Sequence, residues 1–388
     1  MKAIIIGAGI GGLAAAASLR RVGVDAEVYE RAGELRPAGS ALSLSINARI
    51  ALRTLGIELD VERRGSVYYS LDFRTARGRR IRRIPFGHIG DRLGAQNVAI
   101  HRADLQQALL EHLDATAVRL GATATGFQVD ADGVRVDFAA GGVARGDVLI
   151  GADGFNSAIR RQLVGPEEAR EPGYVCWLAT LPFRHPTVTD GYCAHYWGRG
   201  QRFGLVDIGG GRIYWWGTKN VPDARGWAGG KDAILRAYAG WAPEVRAAIA
   251  ATPAAAIISV PAQDRPFLEQ WGTGPVTLLG DAAHPMLPSM AQGAAQAVED
   301  AVVLARHLGG AAGVDEALRG YEAERRERAR LMVDVSSALS RVEQLDRPVA
   351  SLLRDLYMRF VPRSVIDRRN EAAMTFDARS LAVHDHGH

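Results

Sequence analysis

Cysteine is almost absent from this chain of 388 residues, which carries only Cys176 and Cys193. Two thiols cannot build the disulfide framework of a small secreted module, and no Cys/His spacing marks a zinc site. A reducing, cytoplasmic setting is the simplest expectation, and no metal is expected. Long apolar runs are missing too. No stretch reaches the length of a membrane-spanning helix, so no membrane partner is expected. The apolar start after Met1 is broken by glycines too early to serve as a signal peptide. Lysine is scarce, with Lys2, Lys219 and Lys231 the only ones among 47 basic residues. The net charge of +4 is mild. The densest basic cluster, Arg74, Arg77, Arg79, Arg80, Arg82 and Arg83, alternates with Ile81 and Ile84 around Gly78 and reads as the solvated face of a hairpin. A nucleic-acid surface needs a longer basic face with interleaved aromatics, so no nucleic-acid partner is expected. Internal repeats and linkers rich in Pro, Gly or Ser are also lacking. At this length two domains with separate cores are expected, interleaved in sequence.

What is present begins at the N-terminus. Residues 2–6 are a short apolar run that predicts a buried parallel strand. Gly7, Gly9 and Gly12 follow in the GxGxxG spacing, residues 14–21 predict a helix, residues 24–29 a second strand, and Glu30 stands at its end. Strand, glycines, helix and an acidic residue about 20 positions on are together the context of a dinucleotide fingerprint. Gly7 allows the tight turn, Gly9 the approach of a pyrophosphate and Gly12 close helix–strand packing. The helix N-terminus supplies free N–H groups and about half a positive charge. Glu30 suits a ribose diol and disfavours a 2′-phosphate. The motif alone does not separate NAD from FAD.

Further along, residues 47–55 predict a helix, and 67–73 with 80–86 a hairpin. Residues 98–100 form a short strand that leads into a helix opening at HRADL, residues 101–105. Strands are expected near 117–120, 123–129 and 133–138, then at 144–150, which runs into GADGFNSAIRR at 151–161. Residues 172–220 are β-rich and aromatic, and 229–251 helical. Strands at 257–260 and 274–279 precede GDAAHPMLPSMAQG, followed by helices at 292–308, 314–344 and 349–360 and a polar tail. His384, His386 and His388 read as tail residues and not as metal ligands.

GAGIGG at 7–12, GADGFNSAIR at 151–160 and LLGDAAHPMLP…AQG at 278–293 share an order and spacing that resembles the class A, p-hydroxybenzoate hydroxylase-like, FAD-dependent monooxygenases over essentially the whole chain. The resemblance implies an α/β (overall α+β) fold: a Rossmann-like FAD/NAD(P)-binding domain (1–70, 98–171 and 272–345), an interleaved β-sheet substrate domain (71–97 and 172–271), and a C-terminal helix and flexible tail (346–388). It implies bound FAD. Gly7, Gly9 and Gly12 would take the pyrophosphate, and Glu30, with Arg31 beside it, the adenosine ribose. Arg102 would serve the ribityl and phosphate region. Asp153-Gly154 would form a turn near the pyrophosphate, with Ser157 starting a helix and Arg160 as the cationic partner. Asp281, beside Gly280, would meet a ribityl hydroxyl. Pro285 and Pro288 would shape the loop over the flavin, and Gln292, Gly293 and Ala294 would start a helix aimed at its pyrimidine edge. His284 reads as structural or flavin-proximal and not as a base.

The same resemblance implies hydride transfer from NADH or NADPH, which visits and leaves, then O2 activation as a flavin C4a-hydroperoxide and hydroxylation of an aromatic or heteroaromatic small molecule. The arginine cluster is an alternative docking place for the nicotinamide cofactor. Arg202, Tyr214 and Pro288 are the candidate catalytic residues. The stretch RFGLVDIGGGRIYWW resembles FAD-dependent urate hydroxylases, in which Arg202 would grip an anionic or carbonyl-bearing substrate by a bidentate contact and Tyr214 would hydrogen-bond it. Ser289 departs from the acidic residue those enzymes carry, and HRADL with DAAHPMLP looks closer to salicylate-, hydroxybenzoate- and hydroxynicotinate-type hydroxylases. Tyr192, Tyr196 and Trp216 would suit a larger natural product. Epoxidation, antibiotic inactivation or another tailoring oxidation on this scaffold is the alternative activity, and a non-catalytic flavin-binding redox sensor the alternative of a different class. A monomer or homodimer is expected.

Overall fold

The structure, a computed structural model, describes residues 1–35, 40–114, 116–311 and 313–376. The C-terminal histidines and part of the small-residue segment after the second strand lie outside the described residues.

The run Ala3-Ile4-Ile5-Ile6 is apolar throughout because its strand is covered on both faces. Strand Lys2–Ile6 is the centre of a five-stranded parallel sheet in the order Val276–Leu278, Val148–Gly151, Lys2–Ile6, Asp25–Tyr29, Val118–Arg119. Helix Ile10–Arg21, rich in alanine, packs its buried face against helix Gly293–Gly310. The small side chains allow this close approach: a Cβ on Gly11 would meet Leu279 and Ala297 at 2.8 and 3.1 Å. One core joins the parallel sheet to these helices and to part of Val314–Glu343.

The expected strand over 144–150 is two strands. Val143–Gly146 closes a three-stranded antiparallel sheet, and Val148–Gly151 enters the parallel one. Only the second segment is apolar at every position, and that difference was visible in the residues. The expected stretch 67–73 also divides: Ser66–Tyr68 pairs with Asn97–His101 in one small sheet, and Ser70–Thr75 pairs with Arg80–Pro85 in another.

That second sheet has seven strands, ordered Ile258–Pro261, Tyr174–Pro182, Arg212–Asn220, Gln201–Asp207, Cys193–Trp197, Ser70–Thr75, Arg80–Pro85. All neighbours are antiparallel except Cys193–Trp197 with Ser70–Thr75. Its period-2 alternation separates two faces. Trp177, Tyr196, Phe203 and Trp215 pack on one side with helices Lys231–Ala237 and Pro243–Ala251. The opposite face carries Arg202, Val206, Tyr214 and Trp216.

The C-terminal tail is more ordered than its polar composition suggests. After Pro348–Phe360, a further helix, Arg363–Met374, folds back. Met374 joins the apolar cluster of Phe73, Ile84 and Phe86, and Phe376 reaches the main core. Three buried residues hold this segment, too few for a period to be read from sequence. The arginine-rich hairpin is also less free than expected: Arg74 and Arg83 pair with Asp72, and Arg82 donates to the carbonyl of Val361 at 2.6 Å. No helix among the described residues is long and apolar enough to cross a membrane.

Candidate active site

One cavity of about 1000 Å³ runs between the parallel sheet and the seven-stranded sheet. Gly7, Gly9, Glu30, Arg31, Arg102, Asp153, Gly154, Gly280, Asp281, Pro288, Gln292, Gly293, Ala294, Arg202 and Tyr214 all line it. Gly12 does not. A Cβ there would lie 1.9 Å from the Gly7 carbonyl oxygen, so Gly12 serves the packing of helix on strand. Gly7 has φ +106°, and a Cβ would meet the Ala152 carbonyl at 2.5 Å. Gly9 is different: its nearest neighbour would be an Arg102 side-chain nitrogen at 3.9 Å, so the space beside it is open to a ligand.

Glu30 is fixed at the end of its strand by N–H donors from Ala8 (2.8 Å) and Ala32 (2.9 Å). Asp153 Oδ2 accepts from Ala158 N–H at 2.7 Å, whereas buried Oδ1 has no protein partner. Burial raises the Asp153 carboxyl above its usual range. Ser157 starts its helix as expected, accepting from Arg160 N–H. Arg160 itself does not serve Asp153. Its guanidinium binds Glu167 and donates to the carbonyls of Ala282 and Ala283 at 3.0 and 2.9 Å, which anchors the loop after Gly280.

Asp281 opens onto the cavity yet is walled by protein, and this enclosure raises its carboxyl. A Cβ on Gly293 would lie 3.9 Å from Asp281 Oδ1, which leaves room between them. Ala291, with φ +52°, turns the chain into helix Gly293–Gly310, whose first turn has no side-chain cap. Its orphan N–H groups and dipole make the helix start an anion-stabilising end. Behind it Gln292 is buried and accepts from Asn47 at 3.1 Å.

A buried charge network, absent from the sequence expectations, supports this loop. Arg325 donates to Glu299 (2.6 Å) and Asp300 (2.7 Å), and Arg328 also donates to Glu299. Asp300 Oδ2 lies 2.6 Å from His284 Nε2 and accepts from Gly280 N–H at 3.0 Å. His284 is therefore a structural residue whose ring packs at a tilt against Trp271 and does not line the cavity. Burial alone would raise Asp300, but His284 and Arg325 outweigh it and hold the carboxyl down at about 2.

On the sheet side, Arg202 pairs in register with Thr218, Gly204 with Trp216, and Val206 with Tyr214, which puts Arg202, Trp216 and Tyr214 on one face. Gly204 is required there, since a Cβ would strike the Trp216 indole at 2.1 Å. Tyr214 is half-buried, and burial raises its phenol, so it stays protonated. Arg202 is 1% exposed and already forms an ion pair with Glu343, while its Nη1 donates to Ser289 Oγ at 2.9 Å. Sequence reading missed Glu343, because nothing at the end of a 30-residue helix signals the sheet it will reach. It also missed His195, which lines the cavity between Phe73 and Trp216 and which burial pushes down to about 3. Tyr192 and Tyr196 are not substrate walls. Their hydroxyls bond each other on the far face, and Tyr196 donates to Glu244 at 2.7 Å.

A second cleft of about 1140 Å³ is lined by Asp72, Asp207 and glycines 209–211. Two of its acids are satisfied internally: Asp72 by Arg74 and Arg83, Asp207 by Ser66 and by Gly191 and Gly209 N–H groups. Among the described residues no cluster of three His, Cys, Asp or Glu side chains could hold a metal ion.

A glycine turn with open space beside Gly9, a carboxylate fixed at a strand end, a carboxylate facing the cavity and an uncapped helix start stand opposite an aromatic face, an arrangement with room for a dinucleotide cofactor. The chain belongs to the family described as FAD binding domain, whose model matches residues 1–336. It is 37% identical over 382 residues to the aurachin C monooxygenase/isomerase of Stigmatella aurantiaca, covering 97% of this chain and 98% of that one. It is 35% identical to an FAD-dependent urate hydroxylase of Klebsiella pneumoniae, covering 86% and 88%. The crystal structure of Klebsiella pneumoniae HpxO complexed with FAD and uric acid matches with a TM-score of 0.90 and 31% identity over 96% of each chain. The protein is thus an FAD-dependent monooxygenase of the kind that hydroxylates aromatic small molecules.

Proposed function

We propose that the protein consumes NADH or NADPH and O2 to hydroxylate an aromatic or heteroaromatic substrate held against Arg202, Tyr214 and Trp216. The reading rests above all on the continuity of one cavity from the Gly7–Gly9 turn, past the helix start at Gly293, to the seven-stranded sheet. The balance is one NAD(P)H, one proton, one O2 and one aromatic C–H, giving NAD(P)⁺, water and the phenolic product. When bound, FAD supplies the hydride acceptor and the oxygen-activating centre. The chain's own residues do the rest. Gly9 and the helix beginning at Ile10 receive the diphosphate, Glu30 the ribose, Arg102 the phosphate region and Asp281 a ribityl hydroxyl. N–H groups at Gly293 and Ala294 would face a bound flavin and favour negative charge there. Pro288 holds the intervening loop in shape. Tyr214 donates its phenolic proton to a substrate oxygen, and the apolar wall keeps water from the reacting centre. The parallel-sheet segments (1–70, 98–171, 272–345) would form the cofactor domain and 71–97 with 172–271 the substrate domain. The free thiols Cys176 and Cys193 suit a reducing cytoplasm. Turnover under ¹⁸O2 tests the reading: one ¹⁸O atom is expected in the product and NAD(P)H consumption should track it. Peroxide release without labelled product, whatever aromatic is added, would refute it and favour a redox sensor.

A further inference from the structure

The charged and imidazole groups around the cavity fall into two sets. Glu30, Arg31, Arg102, Asp153, Arg161 and Asp281 stand along the glycine turns and loops of the cofactor half. Facing them, the seven-stranded sheet and helix Val314–Glu343 contribute only His195, Arg202 and Glu343 among the described residues. Arg202 and Glu343 are each 1% exposed and paired with one another, so the guanidinium charge is met by a carboxylate in direct contact with it. The guanidinium is also fixed. Ser289 Oγ takes one Nη, and the Trp216 and Tyr174 rings lie 5.1 and 5.7 Å from its carbon. Ser289 and Glu343 both meet Nη1 and Nε is buried without a protein partner, so a carboxylate could approach only the remaining edge of a cation that Glu343 already compensates. His195 is uncharged near neutral pH because it is buried and faces the Arg202 charge. The substrate half therefore holds no uncompensated cation. Beside it, Leu71, Phe73, Ile84, Phe86, Val206 and Met374 form a continuous apolar wall from three strands, the residue after one of them, and the last described helix.

Resting on the hydroxylase reading above, we infer that the site takes a ring that is neutral at working pH and carries an apolar extension, and that Glu343 sets this preference by cancelling the Arg202 charge. A carboxylate or urate-like anion would enter a low-dielectric site holding no uncompensated cation, and its desolvation would go unmatched. A neutral phenol with a hydrocarbon tail loses little water and gains the Phe73–Met374 wall.

The test uses the FAD-loaded protein and three matched probes: 4-hydroxybenzoate, its methyl ester and its heptyl ester. Dissociation constants are read by calorimetry at pH 7, independently of turnover. The methyl ester should bind at least about tenfold tighter than the acid, and the heptyl ester at least about tenfold tighter than the methyl ester. Glu343→Gln, which leaves Arg202 charged, should shrink the ester-to-acid ratio about tenfold or more. An unchanged ratio in a Glu343→Gln protein that retains FAD overturns the inference. Should that variant lose FAD, Arg202→Gln decides instead: it must weaken the acid further relative to the methyl ester, and a shift towards the acid overturns the inference. The double variant Arg202→Gln/Glu343→Gln, neutral again, must keep the ester preference, and reversal to the acid counts against the inference. If the esters bind with this selectivity but no phenol is oxygenated with NADH or NADPH, the hydroxylase reading falls and the charge-cancelling role of Glu343 stands. If oxygenation proceeds with the acid preferred, the outcome is the opposite.

Discussion

Replacing Arg325 by methionine tests whether the charge network beneath the Gly280 loop holds the site together. Arg325 is 2% exposed and faces two carboxylates, Glu299 and Asp300, that are themselves wholly buried. Methionine fills similar length but leaves Asp300 with only His284 and the Gly280 N–H, and Glu299 with Arg328 and Asn47. Removing one member of a buried ionic cluster costs about 3–5 kcal/mol, because the remaining charges lose compensation without regaining water. Urea unfolding followed by tryptophan fluorescence at pH 7 should register that loss. A second signature is specific to charge. Asp300 is held at about 2 against an ordinary 3.8, a depression that corresponds to about 2 kcal/mol of stability. The contribution is complete above pH 3.8 and disappears as pH falls towards 2. In Arg325→Met the depression shrinks, so the fall in stability between pH 4 and pH 2 should be shallower than in the parent. A loss below about 1 kcal/mol at pH 7, with an unaltered acid slope, would show that the network contributes no net stability and would refute the reasoning.

Two glycines of the first turn should separate folding from cofactor binding. Gly9→Ala has free space around its Cβ and should leave the apo fold within about 1 kcal/mol of the parent while FAD retention, read from flavin absorbance, falls sharply. Gly12→Ala drives a methyl into the Gly7 carbonyl and should destabilise the apo protein by about 3 kcal/mol or more in thermal unfolding; equal melting of the two variants would contradict the division. Gly204→Ala displaces the Trp216 indole, so substrate affinity should drop at least about tenfold with FAD content unchanged, and an unaltered dissociation constant would remove Trp216 from the site.

Local patterns were readable wherever one contact partner is implied by spacing. The apolar run at residues 3–6, the three glycines and Glu30 define a βαβ unit because its strand, turn and helix touch within thirty residues. The same holds for the uncapped helix after Gly293 and for the alternating strands from Tyr174 to Asn220. Period alone did not say which face of those strands would meet the cavity. Tyr196 and Trp216 looked alike in sequence, and pairing put one against Glu244 and the other against the site.

Sequence by itself determined the end of the cavity that is proposed to hold the cofactor. Gly7, Gly9, Gly12, Asp153, Asp281 and Gly293 are local requirements of backbone conformation, close approach and helix start, and these are properties of short segments. Only the tertiary structure decided the substrate end. Glu343 meets Arg202 from 141 residues away, His195 slips between Phe73 and Trp216, and Met374 returns from the C-terminus to close the wall. Charge in a cavity is a sum over residues that folding brings together. The isolated stretch around Arg202 pointed to an anionic or carbonyl-bearing substrate, whereas folding sets Glu343 against the Arg202 charge.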